Sequence, residues 1–247
     1  MNIFVPLLIT SVAGLSTVLG SLIIFFKIKK ENINKFITVC LSLSMIVMIL
    51  ISITELLPVS IISIFNIYKI PLSILLVTLI PIISIISINY IDRVSSNTNN
   101  LYKLGIINMI VLILHNMPEG IITFLSSLND TSLGIKLCIA IIMHNIPEGV
   151  AIAVPTYYGT GSKLKAIKMT FISGLAEPVG AVLTYLLFHK FITEGILSII
   201  LLFVGAIMII LSINKLFPEA QKLNEHKFIY LGILLGFILI TLLELFF

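Results

Sequence analysis

Tryptophan is absent from this chain, cysteine occurs only twice and charge is scarce. Of the 247 residues, 11% are Asp, Glu, Lys or Arg, against about 25% in ordinary soluble domains. With 59% hydrophobic residues and a mean hydropathy of +1.20, that scarcity excludes a soluble fold. It predicts an all-α, polytopic membrane protein. Once the apolar runs are set aside no soluble domain is left over, so residues 1–247 read as a single transmembrane domain. Cys40 and Cys138 both fall inside apolar runs, where a buried small hydrophobe is the expected role. They supply neither a disulfide framework nor a thiolate metal site. Without Trp, interfacial anchoring falls to Tyr and Lys. The formal net charge of +4 does not indicate nucleic acid as a partner, because the basic residues sit in short connections between apolar runs.

Eight apolar segments are each close to the roughly 20 residues a helix needs to cross a bilayer. They are Val5–Phe26, Phe36–Leu57, Leu72–Ile91, Leu104–Leu128, Leu133–Tyr157, Ala166–Phe188, Gly195–Leu216 and Phe228–Phe246, called spans 1 to 8 below. The first is not expected to be a signal peptide, since no basic residue precedes it. Connections 1–2, 3–4, 5–6 and 7–8, with the span ends that adjoin them, carry 12 of the 15 Lys and Arg, leaving Lys69, Lys136 and Lys190 for the other side. By the positive-inside rule both termini lie outside. The connection Asp92–Lys103 is short, polar and turn-rich, and Asn214–Lys227 reads as a solvated cytoplasmic loop.

Against this apolar background stand two near-copies of one hexapeptide, His115-Asn116-Met117-Pro118-Glu119-Gly120 and His144-Asn145-Ile146-Pro147-Glu148-Gly149. Each lies near the middle of a span, where a charged residue costs about 2.5–3.5 kcal/mol on the most lenient scale. At about 100° per residue, Glu119 falls between His115 and Asn116 on one helical arc, and Glu148 between His144 and Asn145. Two such arcs facing each other can hold one ion between the histidines and another between the asparagines, with both glutamates bridging. Pro118 and Pro147 point away from the arcs and free the carbonyls of Leu114 and Met143. No Lys or Arg lies at that depth in any span, so a mid-span Glu has no basic partner. A bound cation would supply the missing charge, where neutralisation is the alternative.

A third mid-span carboxylate, Glu177, sits in Ser173-Gly174-Leu175-Ala176-Glu177-Pro178-Val179-Gly180-Ala181. Its small neighbours allow close helix approach. Ser173, four residues earlier on the same face, is placed to orient the carboxylate from behind. Glu55 and Glu244 lie near outer span ends. They read either as wet side chains or as an acidic entrance that concentrates cations. Lys215, at the inner end of span 7, reads as snorkelling to the interface.

Two H-N-x-P-E-G motifs on consecutive spans, followed by G-L-A-E-P-x-G-A on the next, resemble the ZIP family of metal transporters, in its bacterial ZupT-like branch. T-E-L-L-P at the end of span 2 and the span count extend the resemblance over essentially the whole chain. The resemblance implies inverted repeats, with spans 1–3 related to spans 6–8 around a central pair 4 and 5. It implies uptake of Zn²⁺, and of Fe²⁺, Mn²⁺, Co²⁺ or Cd²⁺, across the plasma (inner) membrane as cargo, with no resident cofactor. It assigns one ion to His115, Glu119, His144 and Glu148, and a second to Asn116, Glu119, Asn145, Glu148 and Glu177. A homodimer in the lipid bilayer is the assembly left open. One departure stands at the end of span 7, where relatives carry an acidic or His residue before E-L-L-P and this chain has Asn214-Lys215-Leu216-Phe217-Pro218. The alternative is an intramembrane metalloenzyme using the same ligands with an open position for water. Against it, the chain has no H-E-x-x-H motif and no spare general base.

Overall fold

The computed structural model describes residues 3–94, 100–188 and 193–246. In hydrocarbon every backbone N–H and C=O must be satisfied within the protein, which leaves helices as the way these apolar runs can cross. They are α1 (Phe4–Gly20), α2 (Ile33–Ile51), α3 (Leu57–Ile67), α4 (Ile70–Val94), α5 (Asn100–Asn129), α6 (Thr131–Thr160), α7 (Lys163–Gly174), α8 (Ala176–Leu183), α9 (Glu194–Leu211), α10 (Phe217–Lys222) and α11 (His226–Phe246). Several join into longer units, so that among the described residues seven helices are long and apolar enough to span, and an eighth apolar helix covers His226–Leu242.

The polarity is that of a membrane protein turned outward. Phe4, Phe26, Ile70 and Tyr90 are exposed, whereas Thr17, Asn108, Asn116 and Glu148 are buried. The long helices α5 and α6 lie at the centre, with α1, α7 and α8 packed against them. The remaining helices form the other side, where α4 and α3 pack on α9, and α11 packs on α2. Exchanging span 1 for 6, 2 for 7, 3 for 8 and 4 for 5 maps this packing onto itself. The α1–α6 contact becomes α8–α5, α4–α9 becomes α11–α2, and α2–α6 becomes α9–α5. The sequence carries the same relation at one constant spacing: Gly14 with Gly174, Gly20 with Gly180, Met48 with Met208, Ser52 with Ser212 and Pro58 with Pro218.

The structure departs from the expected span ends in three places. Span 2 does not stop at Leu57. A single π turn over Ser52–Leu56 leads into α3, with Pro58 in its first turn, and the helix runs to Ile67. A proline is tolerated where its missing N–H would have had no helical partner. Span 7 repeats the device with a π turn at Ser212–Leu216 and Pro218 in the first turn of α10. Asn214–Lys222 is therefore helical, not a loop. Span 6 is interrupted at Leu175, between α7 and α8, because Pro178 cannot donate back to the Gly174 carbonyl. Both cysteines are free and buried. Of the connection Asp92–Lys103, residues 95–99 lie outside the described residues, as do Lys190 and the Glu244 side chain.

Glycine sets how closely α1, α7 and α8 approach one another and the central pair. A Cβ on Gly14 would meet the Gly174 carbonyl, and one on Gly174 the Gly14 carbonyl. A Cβ on Gly149 would strike the Thr17 carbonyl, and one on Gly120 the Glu177 backbone. Gly149→Ala should therefore force α1 from α6 and destabilise the protein by about 1–3 kcal/mol. Thermal unfolding in detergent should show a lowered midpoint; an unchanged one would mean that α1 has room to give.

Candidate metal centre

Helices α5 and α6 run unbroken through Pro118 and Pro147, so each hexapeptide keeps its His, Asn and Glu on the arc that helical spacing dictates. The α6 turn is also tied to α2, where Ser44 Oγ donates to the Pro147 carbonyl at 2.8 Å. His115, Asn116, Glu119, His144, Asn145, Glu148 and Glu177 are all buried.

His115, Glu119 and His144 converge. Each offers one ligand atom, and these atoms lie within 4.8 Å of one another. Tetrahedral zinc bonds of about 2.0–2.2 Å put two ligands of one ion about 3.3–3.6 Å apart, close to the separations of Glu119 from the two imidazoles. Glu119 Oε1 stands 3.2 Å from both imidazoles, at Nε2 of His115 and Nε2 of His144. Glu148 Oε1 is 3.4 Å from His115 Nε2. The His115 nitrogens make no aligned hydrogen bond despite these distances. The two glutamates are thus not equivalent: Glu119 lies between the histidines, and Glu148 approaches His115.

The second arc is arranged differently. Asn145 Nδ2 donates to Glu177 Oε1 at 2.6 Å and to the Ala13 carbonyl at 3.0 Å. Asn116 Nδ2 donates to the Ser173 carbonyl at 3.3 Å. The expected contact from the Ser173 hydroxyl to Glu177 is not made, and Ser173 Oγ has no hydrogen-bond partner. The break at Leu175 lies between the two residues, so the four-residue spacing no longer stacks them. Six oxygens around the two arcs are buried without a donor: Asn116 Oδ1, Asn145 Oδ1, Glu119 Oε2, Glu177 Oε2 and both oxygens of Glu148. Buried acceptors are almost always paired in folded proteins. A cluster of bare oxygens beside two imidazoles has the chemistry of a cation site.

A cavity of about 300 Å³ opens onto this cluster, lined by Glu55, Thr123, Ile141, His144 and Glu119. Glu55 is exposed in the π turn of span 2 and shares that cavity wall with Glu119 and His144. Thr123 escaped the sequence reading. It is fully buried, its hydroxyl has no partner, and it continues the His115–Glu119 stripe by one more helical step. At the other end of α5 a separate cavity of about 230 Å³ is lined by Lys103, Ile107, Asn214, Lys215, Glu219 and Lys222. It touches none of the seven site residues; Val111 and Leu112, fully buried, lie along α5 between it and His115.

A multi-pass helical protein with a buried His/Glu cluster at a helix-pair centre falls in the class of metal-handling membrane proteins. The family model described as ZIP Zinc transporter matches residues 92–244. Over 98% of its length the chain is 35% identical to the zinc transporter ZupT of Akkermansia muciniphila, 97% of which is covered. It is 33% identical to ZupT of Streptococcus mutans over 97% of this chain and 96% of that protein. Identity rises to 48% with ZupT of Lysinibacillus sphaericus over 57% of this chain, and that match spans about half (52%) of the relative. The chain belongs to the ZIP family. That family is one of transporters and not of enzymes, which sets the metalloenzyme alternative aside.

If the cluster holds Zn²⁺, the ion should stabilise the folded chain by mass action, by about 2.7 kcal/mol at 100 times its dissociation constant. His144→Ala should lose most of that gain, measured as the zinc-dependent rise in melting temperature. An equal rise in both proteins would place the bound zinc elsewhere.

Proposed function

We propose that the protein carries divalent metal ions, zinc foremost, across the plasma membrane into the cytoplasm through a binuclear site. The observation that carries this reading is the cluster of bare buried oxygens beside two imidazoles, reached by a cavity from the Glu55 end. Relatives covering nearly the whole chain bear the name zinc transporter. One ion is held by His115, Glu119, His144 and Glu148, and the other by Asn116, Asn145, Glu177 and the remaining oxygens of Glu119 and Glu148. The mixed nitrogen and oxygen donors are borderline in softness, which extends the cargo to Fe²⁺, Mn²⁺, Co²⁺ and Cd²⁺. The basic residues gathered at the Lys215 end make that end cytoplasmic, and both termini external. Glu55 then faces the outside and gathers cations at the mouth of the cavity.

Reconstituted in liposomes, the protein should accumulate ⁶⁵Zn²⁺. Glu119→Ala and Glu148→Ala should each reduce uptake to the level of protein-free vesicles while the protein still inserts and folds. Either variant keeping most of its transport would remove the core of the reading. Uptake should also fall as external pH drops from neutral to mildly acidic, because protons compete with the ion for neutral imidazole and ionised carboxylate; a flat or rising profile would count against direct competition. Glu55→Gln should raise the apparent KM several-fold at low ionic strength, leave kcat nearly unchanged and lose its effect at high salt. An unaltered KM would return Glu55 to a wet surface residue.

A further inference from the structure

Helix α1 supplies no ligand side chain, yet it meets the site at the point where the asparagines are held. The Asn145 amide donates to the Ala13 carbonyl on α1, and the Asn116 amide to the Ser173 carbonyl on α7. Ala13 and Ser173 correspond under the exchange of the two halves, as do Asn145 and Asn116, and each carbonyl immediately precedes one of the two crossing glycines, Gly14 and Gly174. A backbone carbonyl only accepts, so it forces the amide nitrogen towards itself and turns Oδ1 away. For Asn145 both N–H donors are consumed, one by Ala13 and one by Glu177 Oε1. Both Oδ1 atoms are then left buried and without a donor. Glu177 is fixed by the same packing, since a Cβ on Gly14 would contact its side chain at 2.9 Å and one on Gly120 would collide with its backbone.

We propose that the carbonyls of Ala13 and Ser173 are positioning groups that lock the Asn145 and Asn116 amides oxygen-inward. They make α1 a determinant of the second metal position, although it gives that position no side chain. The proposal rests on the binuclear reading above. An amide used only to glue α6 to α1, as interhelical asparagines commonly are, would gain nothing from leaving its oxygen bare. An amide free to rotate could also present its N–H groups to the ion position. The clamp removes that second orientation. It also divides the ligands by softness, with the imidazoles around one ion and only oxygen around the other, the donor type that harder cations favour.

The test is Asn145→Asp, titrated with Zn²⁺ by calorimetry on purified protein in detergent. Asp keeps the size and the ligand oxygen and adds a charge, so a residue acting only as ligand should bind the second ion equally well or more tightly. Under the clamp, the carboxylate faces the Ala13 carbonyl and Glu177 with no hydrogen to give. The wild type should bind two ions. Asn145→Asp should weaken the second by about tenfold or more, the usual effect of losing an outer partner of a ligand, with the first unchanged. Asn116→Asp, which loses one donor, should weaken it less. If Asn145→Asp is not recovered folded, Gly14→Ala decides, because its methyl pushes α1 from Gly174 and Glu177 and should cost the second ion alone. Retention of the second ion at wild-type affinity in the deciding variant overturns the clamp while the binuclear reading stands. A wild type that binds a single ion overturns the binuclear reading and the clamp with it.

Discussion

Three carboxylates in an apolar interior, with no lysine or arginine partner among the described residues, are the constraint from which the rest of the structure follows. A carboxylate taken out of water keeps its charge only if something nearby replaces the lost hydration. Glu119 finds two imidazoles, Glu148 approaches one and Glu177 accepts from an amide. Even so, four of their six oxygens remain without a donor. Under the proposed function a cation supplies the balancing charge, which a lysine at the same depth would have supplied permanently.

Close approach of the helices is what gathers these groups. Gly14, Gly120, Gly149 and Gly174 each abut the backbone of a neighbouring helix with no room for a methyl. In a bilayer, where apolar side chains gain little by leaving lipid, such contacts supply much of the association. The contacts that hold the bundle together are here the contacts that bring Glu177 to Asn145 and the Ala13 carbonyl to the same amide. Stability and site geometry are therefore hard to alter separately on α1, α7 and α8.

The spans and the two hexapeptides were legible in the sequence, because length, hydropathy and a repeated motif are one-dimensional signals. The convergence of His115, Glu119 and His144 was legible in part: periodicity sets His and Glu of each hexapeptide on one arc, the repeat suggested that the arcs face each other, and the three residues do meet. What was not legible depends on neighbours. The inequality of Glu119 and Glu148 needs the rotation of α5 against α6. The carbonyls that hold Asn116 and Asn145 carry no sequence signal, since every residue has one. Ser173 was assigned to Glu177 by a spacing rule that the break at Leu175 suspends. Pro58 and Pro218 look like helix stops until the π turns before them are seen. Thr123 could have been found, as the next step of the stripe running from His115 through Glu119.

Those π turns also bear on how the chain tolerates change in its length. Each is a widened turn that accommodates one residue more than an α-helix would, so the register before Ser52 resumes late beyond Leu56. Losing a single residue from Ser52–Leu56 would restore an ordinary α turn and leave the helix beyond it facing as before, so Ile61 and Ile64 would keep their place in the cluster with Leu202. The same loss from the regular α-helix on either side would swing everything beyond it by about 100°. The same arithmetic applies to Ser212–Leu216 and the buried Ala220 beyond it. At these two places the chain carries a spare residue, and a one-residue gap is a smaller lesion there than in the α-helix around it.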